Sequence, residues 1–391
     1  MSTSFFANSP DRGREARHLL ETMYRDPSRQ SVTPRQRVER AIQHQPVDRI
    51  PFDFWAVPEQ WLNLKQYLEV DTDEELLQLL GIDCRQVVPP YIGPAPIHLE
   101  GAIFIEPWGS HRRRQATTFG TYNEYAIYPL VNAQKISEIE DYAYWPRPEY
   151  WDTTQLKQQI ERINSQTEYH IRYEVGGIFE SAWGLYGLES FLVDMAMGEM
   201  EIPNAIMACY TDLFIANVER VLQAGEGQVD MVYLFDDLGT QRGPLMSVNM
   251  WRKYILPWQL KLVAAIRPFG VRIMYHSCGA IYPFIHDLVR EMKIDVLNPL
   301  QPRAAGMDFV QIKNEYGQQL TFHGGIDIQE TLPYGSPERV QKEVIETCRI
   351  LGRNSGYICA PAHNIQADTP ADNIIAMYLA PRASNYSGEQ I

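Results

Sequence analysis

From about residue 160 onward, short apolar runs alternate with longer stretches whose apolar positions recur at helical spacing. The runs at 169–174, 231–235, 271–275, 295–298, 320–322 and 356–359 predict strands. The stretches at 180–197, 203–223, 247–267, 280–292, 308–315, 336–350 and 370–380 predict helices. Upstream, Thr33 and Pro34 supply an N-cap and a proline at the first helical position, which opens a helix over 35–43. A strand is predicted at 48–55, helices at about 57–68 and 73–80, and a further strand at 83–88. This makes eight strand and helix alternations, the count of a single closed (β/α)8 TIM barrel. A doubly wound open sheet is the competing α/β architecture, but no G-x-G-x-x-G follows any of these strands.

Two stretches depart from the alternation. Between 101 and 130, aromatic and polar residues alternate, with Gly120 and Tyr122-Asn123 as turn signals, and this predicts a β-hairpin inserted into the barrel. The insertion carries Arg112-Arg113-Arg114, either a solvated charge run or a loop that contacts an anion beside an active site. Residues 1–32 are rich in Arg, Ser and Asp and have few apolar positions, so they are expected to be a mobile arm or a lid ahead of a barrel domain over 33–391.

Composition narrows the partners. The 391 residues are 45% hydrophobic, enough to bury a large core. With 35 basic against 49 acidic residues the formal net charge is -14, which disfavours nucleic acid and anionic membranes and leaves small molecules or another protein. Five cysteines, an odd number without a short-loop disulfide pattern, suit a reducing compartment. Residues 1–10 lack a secretory pattern, and no run of about 18 apolar residues occurs, so a cytoplasmic location is expected. Trp145, Tyr150 and Trp151 either line a homodimer interface or pack the hairpin.

The candidate chemistry lies at the predicted strand ends, where barrel enzymes build their sites. His276 and Cys278 stand two positions apart after an apolar run, so on a strand they share a face. A buried core histidine beside a free cysteine is the plain reading of that pair alone. His363, from the last strand end, adds a converging ligand, and His276, Cys278 and His363 together suit zinc with an open fourth position. Cys359 ranks second for the third position because a strand reaching it packs the thiol inside, and Glu174 or Asp237 is a candidate labile fourth ligand. Asp236-Asp237 either cap loops or orient a ligand and handle a proton. Further polar strand ends are Asn298 with Gln301, His323 with Gly324-Gly325, and Asn364 after His363. Glycines beside His323 permit either close backbone approach to a ligand or a tight turn.

Over about 35–378 the chain resembles the uroporphyrinogen decarboxylase superfamily. The resemblance rests on Arg40-Ala41-Ile42 with Asp48-Arg49-Ile50-Pro51, on Trp108-Gly109 leading to Gly120-Thr121-Tyr122, and on Phe235-Asp236-Asp237-Leu238-Gly239-Thr240-Gln241. It continues in His276-Ser277-Cys278-Gly279, Asn298-Pro299-Leu300-Gln301, His323-Gly324-Gly325-Ile326-Asp327, and Ala360-Pro361-Ala362-His363-Asn364-Ile365-Gln366 with Thr369-Pro370. It implies a single (β/α)8 barrel.

True decarboxylases of the superfamily need no metal and carry an N-terminal Arg-Gln-Ala-Gly-Arg stretch that this chain lacks, Arg35-Gln36-Arg37 being the nearest text. Asp83, by the second candidate strand, falls where they place an essential Asp. The other branch, the corrinoid-dependent methyltransferases similar to methylcobalamin:coenzyme M methyltransferase, binds zinc through His-x-Cys and a later Cys in an Ala-Pro-Gly-Cys context. His276 and Cys278 match the first part, and Ala360-Pro361-Ala362-His363 replaces the second.

The resemblance therefore implies a zinc-dependent methyltransferase. It would move a methyl group between a small molecule and a corrinoid such as methylcobalamin, as co-substrate or on a partner protein. A neutral His363 in place of a thiolate leaves zinc more electron-poor, which favours a Lewis-acid role on a methoxy substrate, an O-demethylation, over thiol activation. Asp236, Asp237 and Glu174 are the expected catalytic groups, and His323, Asn298, Gln301, Asn364 and Asp83 the expected substrate-binding groups. The rivals are a metal-independent decarboxylase of uroporphyrinogen or a related acid, with Arg112 or Arg242 holding carboxylates, and a non-catalytic tetrapyrrole or corrinoid binder.

Overall fold

The computed structural model describes residues 11–24, 31–117 and 120–383. In chain order the strands are β1 (Cys84–Val87), β2 (Ile97–His98), β3 (Ile103–Ile105), β4 (His111–Thr117), β5 (Gly120–Ile127), β6 (His170–Gly176), β7 (Met231–Phe235), β8 (Arg272–His276), β9 (Val296–Leu300), β10 (Thr321–Ile326) and β11 (Tyr357–Pro361). One seven-stranded sheet runs β1-β6-β7-β8-β9-β10-β11, and β2 to β5 form a four-stranded sheet in sequence order. The pairs β6–β7, β7–β8, β9–β10 and β10–β11 are all parallel. Parallel strands covered by helices are apolar along their whole length, and β9, β10 and β11 are buried at every position. The fold is therefore α/β with a parallel sheet, as the alternation predicts.

Two compact units divide the chain. The first joins Met1–Arg85, Gln166–His170 and Asp295–Ile391. Its helix Pro34–Ile42 opens with the predicted cap, in which Thr33 and Gln36 satisfy each other's backbone donors. Helix Pro337–Leu351 buries Val340, Val344, Thr347, Cys348 and Leu351, a stripe at helical spacing. The region 48–55 departs from a continuous strand: it makes an isolated parallel bridge, Phe52 to Cys359, and Ala56 just beyond it makes another, to Ile365. Pro51 has no N–H to give a ladder, and Asp53 Oδ1 accepts from Phe54 N at 2.9 Å, a local bond that competes with pairing. Phe52 O accepts from Asp83 N, just before β1.

Within the described part of the arm expected to be mobile or a lid, Arg12–Tyr24 is a helix with Ala16, Leu20 and Tyr24 buried. Tyr24 Oη donates to Tyr378 O at 2.7 Å, and Arg12 pairs with Asp372 at 3.1 Å. These contacts pack the helix onto the unit.

The second unit joins Gln86–Ser165 and Ile171–Ile294. Two long helices of the sequence reading are each broken in two. Gly187, at φ 91, separates Ile178–Tyr186 from Leu188–Met197. Pro257, which lacks the N–H a continuous helix needs, sits in the first turn of Leu256–Ile266, after Val248–Tyr254. The expected hairpin is β4 and β5, antiparallel, with β3 and β2 added on the other side of β4. Trp145 packs within this unit, its ring edge-on to Tyr142 and Tyr210 and its Nε1 donating to Ile139 O. No helix among the described residues is long and apolar enough to cross a membrane.

Candidate metal centre

Strand β8 ends at His276, so Cys278 lies beyond it, and strand periodicity alone does not place the thiol. The neighbouring loop does. Ser277 Oγ accepts from Leu238 N at 2.8 Å, and Asp237 Oδ1 accepts from Cys278 N at 2.8 Å. Gly279 turns the chain at φ 83 against the backbone of Gly239 and Thr240, which leaves no room for a side chain. These contacts fold the loop back so that Cys278 Sγ lies 3.3 Å from His276 Nε2. Asp237 Oδ1 is 3.6 Å from the same nitrogen, and the Tyr233 ring sits edge-on to the imidazole at 5.7 Å.

His363 follows β11, and its Nδ1 accepts from Asn364 N at 2.7 Å. Gln366 Nε2 donates to Asn364 O, so the residue after His363 is held from both sides. His276 Nε2 and Cys278 Sγ, 3.3 Å apart, belong to the second unit and can share one metal ion, whereas His363 belongs to the first. An imidazole and a thiol are donors of the kind zinc takes. Cys359, the second-ranked candidate, lies in the first unit with His363. It is fully buried on β11, where the Cys348 thiol hydrogen-bonds to it, and this contact together with burial raises the Cys348 pKa.

The carboxylates near His276 differ sharply in environment. Asp236 is buried, its Oδ1 accepting from Glu180 N at 2.9 Å and its Oδ2 from Gln259 Nε2 at 2.7 Å. Burial outweighs these bonds and pushes its carboxyl up to about 8, so it holds a proton at neutral pH. Glu180, which the sequence reading missed, is pushed up to about 7 by burial and then by the charge of Asp237, with Arg112 opposing. Asp237 itself is half exposed. Glu174 keeps surface exposure but is crowded by protein on its other sides, and desolvation raises its carboxyl while Gln86 Nε2 makes only a long 3.4 Å bond to it. Of the two fourth-ligand candidates, Asp237 is the one beside His276 and Cys278.

Arg112 is neither a solvated charge nor a free anion contact. It pairs with Glu106 at 3.0 Å and lies 3.2 Å over the Tyr125 ring, whereas Arg113 and Arg114 are exposed.

The expected substrate-binding residues fall into two sets in the first unit. His323 is fully buried between Asn298, whose Nδ2 lies 2.6 Å from Nδ1, and Asp53, whose Oδ2 lies 3.0 Å from Nε2. One tautomer satisfies both contacts: Asn298 donates to Nδ1, and Nε2–H donates to Asp53. Asp53 Oδ2 also accepts from Trp55 Nε1 at 2.8 Å. Gln301 is buried in the same unit. Asp83, by contrast, belongs to the frame. Arg37 Nη1 reaches its Oδ1 at 2.6 Å, Arg49 Nη1 reaches its Oδ2 at 2.7 Å, and Phe52 N donates to Oδ2 at 2.8 Å.

The uroporphyrinogen decarboxylase (URO-D) family model matches residues 129–383, more than half of the chain. The chain belongs to the URO-D family. It is 21% identical over 209 residues to a uroporphyrinogen decarboxylase of Coxiella burnetii, which covers 52% of this chain and 54% of that protein. It is 30% identical over 116 residues to one of Mycolicibacterium gilvum, 29% of each chain. The chain thus spans about half or less of the length of these curated relatives. Among solved structures it is similar to a methyltransferase from Methanosarcina mazei, with a TM-score of 0.64 at 18% identity, covering 90% of this chain and 99% of that one. That likeness concerns the fold.

Proposed function

We propose that this chain is a zinc-dependent methyltransferase that moves a methyl group between a small molecule, a methoxy compound or a thiol, and a corrinoid that is free or carried on a partner protein. The observation that carries the reading is the pair His276 and Cys278, imidazole and thiol 3.3 Å apart with Asp237 beside them, and His363 is the proposed third ligand. A URO-D family decarboxylase without metal has no need of a thiol and an imidazole so arranged, and the methyltransferase of similar fold supports the same branch. When bound, zinc supplies a Lewis acid that polarises a methoxy oxygen or lowers the pKa of a substrate thiol. The rest falls to the chain's own groups. Asp237 fixes the Cys278 loop through its amide and stands ready as the labile fourth ligand. Asp236, protonated at neutral pH, is the acid that gives a proton to a departing oxygen, with Gln259 holding its Oδ2 in place. His363 must give up the Asn364 bond on ligation, because Nδ1 then carries either the metal or the proton.

The proposed fold is a closed (β/α)8 barrel in which the Phe52 segment is the eighth strand. Its bridge to Cys359 of β11 and its bond from Asp83 before β1 support that reading.

The metal-free decarboxylase reading keeps one specific support, since the curated relatives are uroporphyrinogen decarboxylases. Metal analysis separates the two. Purified protein is expected to hold about one zinc per chain, lost in His276→Ala and in Cys278→Ser, with methyl transfer to or from a corrinoid lost in parallel. Metal-free protein that still decarboxylates uroporphyrinogen would overturn the proposal.

A further inference from the structure

A second polar cluster lies in the first unit at the entry to β11, a strand length from His363. Lys313, on helix Phe309–Tyr316, is only 6% exposed. Its Nζ donates to Ser355 O at 2.6 Å and lies 5.5 Å from the centre of the Phe322 ring. No carboxylate pairs with it among the described residues; the charge nearest in effect is Arg353, also a cation. A buried ammonium facing a second cation and one neutral carbonyl is poorly compensated.

The polar groups around it are also incomplete. His44 Nδ1 and Ser355 Oγ are both buried without a hydrogen-bond partner. A Cβ on Gly356 would lie 2.5 Å from His44 Nδ1 and 3.4 Å from Lys313 Nζ, so imidazole and ammonium approach the same point. The loop that brings Ser355 there is strained, with Asn354, Ser355 and Gly356 at φ 58, 64 and 76 in succession, a conformation only the glycine adopts freely. Arg353 Nη2 donates to Asn314 Oδ1, which steadies the guanidinium beside this loop. Desolvation, and then Arg353, hold the Lys313 pKa down at about 8, and desolvation and Lys313 lower that of His44. Both shifts are what an anion would relieve.

We propose that Lys313, Arg353, His44 and Ser355 form a binding site for a small oxyanion, a phosphate or a carboxylate, distinct from the candidate metal centre. Two cations supply the charge, and the imidazole and hydroxyl supply the directed donors. The spacing along β11, seven residues from Gly356 to His363 by number, puts this cluster roughly 20 Å from His363 at a strand's rise per residue.

Inorganic phosphate is the probe. It is titrated into the full chain by calorimetry and thermal denaturation, with chloride at matched ionic strength as control and acetate as a second arm. A saturable rise in melting temperature with phosphate or acetate, absent with chloride, supports the site, and the more effective of the two gives the ligand's class. Lys313→Met is expected to weaken binding by about tenfold or more, the loss of one charge-assisted contact. Without phosphate it is expected to melt no lower than the parent, because the uncompensated charge is gone. Arg353→Gln, at a half-buried position, keeps the test open should Lys313→Met fail to fold. The absence of any saturable response, or unchanged phosphate binding in Arg353→Gln, would overturn the proposal.

Discussion

Among single residues, the chemistry depends on how differently three neighbouring acids are treated. Asp237 is half exposed and bonded to Cys278 N, Asp236 is enclosed by Glu180 N and Gln259, and Glu180 stands between burial and the field of Asp237. Glu180 gives the clearest pH test because its carboxyl is raised to about 7, inside the accessible pH range. Its unfolded pKa is near 4.3, so between there and 7 the folded state binds the proton more tightly. The stability this provides is complete below that window and is lost as pH rises through it. Thermal melts at fixed ionic strength are expected to show a falling melting temperature between about pH 5 and 7.5, with a shallower fall in Glu180→Gln. Equal slopes in the two proteins would mean that the carboxyl ionises normally. His276 and Cys278 were legible in the sequence as a close pair, but the contacts of Ser277 and Asp237, not strand spacing, place the thiol. Glu180 was not, since its character comes from burial and then from Asp237 and Arg112, far away in the chain.

For whole elements, the sequence reading was strongest where one pattern controls one segment. The apolar runs at 231–235 and 356–359 became β7 and β11 within a few residues, and Thr33-Pro34 opened its helix with the predicted cap. It was weaker where a single proline or glycine divides a helical stretch, as at Gly187 and Pro257, and where side chains compete with ladder bonds, as at Asp53. Asp83 shows how the same residue reads differently once its elements are in place. Alone it is a carboxylate near a strand. In the structure it ties helix Pro34–Ile42, the Arg49 segment and β1 together through two arginines and the Phe52 amide. Removing one partner of a buried ion network leaves the others uncompensated, so Asp83→Ala is expected to cost about 3–5 kcal/mol of stability. Urea unfolding measures this, and zinc content is expected to stay at the parent level in the folded fraction. A variant of parental stability with a raised KM would instead return Asp83 to substrate binding.

For the molecule as a whole, the α/β alternation with its parallel sheet was readable because each strand and helix announces itself locally, while the described residues form a sheet of seven strands where the alternation predicts eight. The candidate ligands were readable only in part: His276 and Cys278 are close in sequence, whereas His363 comes 87 residues after His276 by number, where no local pattern links it to them. His363 is therefore where the functional reading is most exposed to test. If it is the third ligand, His363→Ala leaves two protein ligands and zinc affinity is expected to fall by at least about tenfold. His363→Cys replaces the imidazole with a thiolate donor and is expected to retain zinc, since both ligand types suit the same tetrahedral site. Because imidazole and thiol must lose protons to bind, zinc is expected to leave the parent protein as pH falls below about 6.5, the region where histidine protonates. Competition with a chromophoric chelator across pH, on the parent and both variants, measures all three. Parental affinity in His363→Ala would remove His363 from the metal site and with it the argument for an electron-poor, oxygen-directed zinc, while leaving the His276 and Cys278 tests to decide whether a metal is held at all.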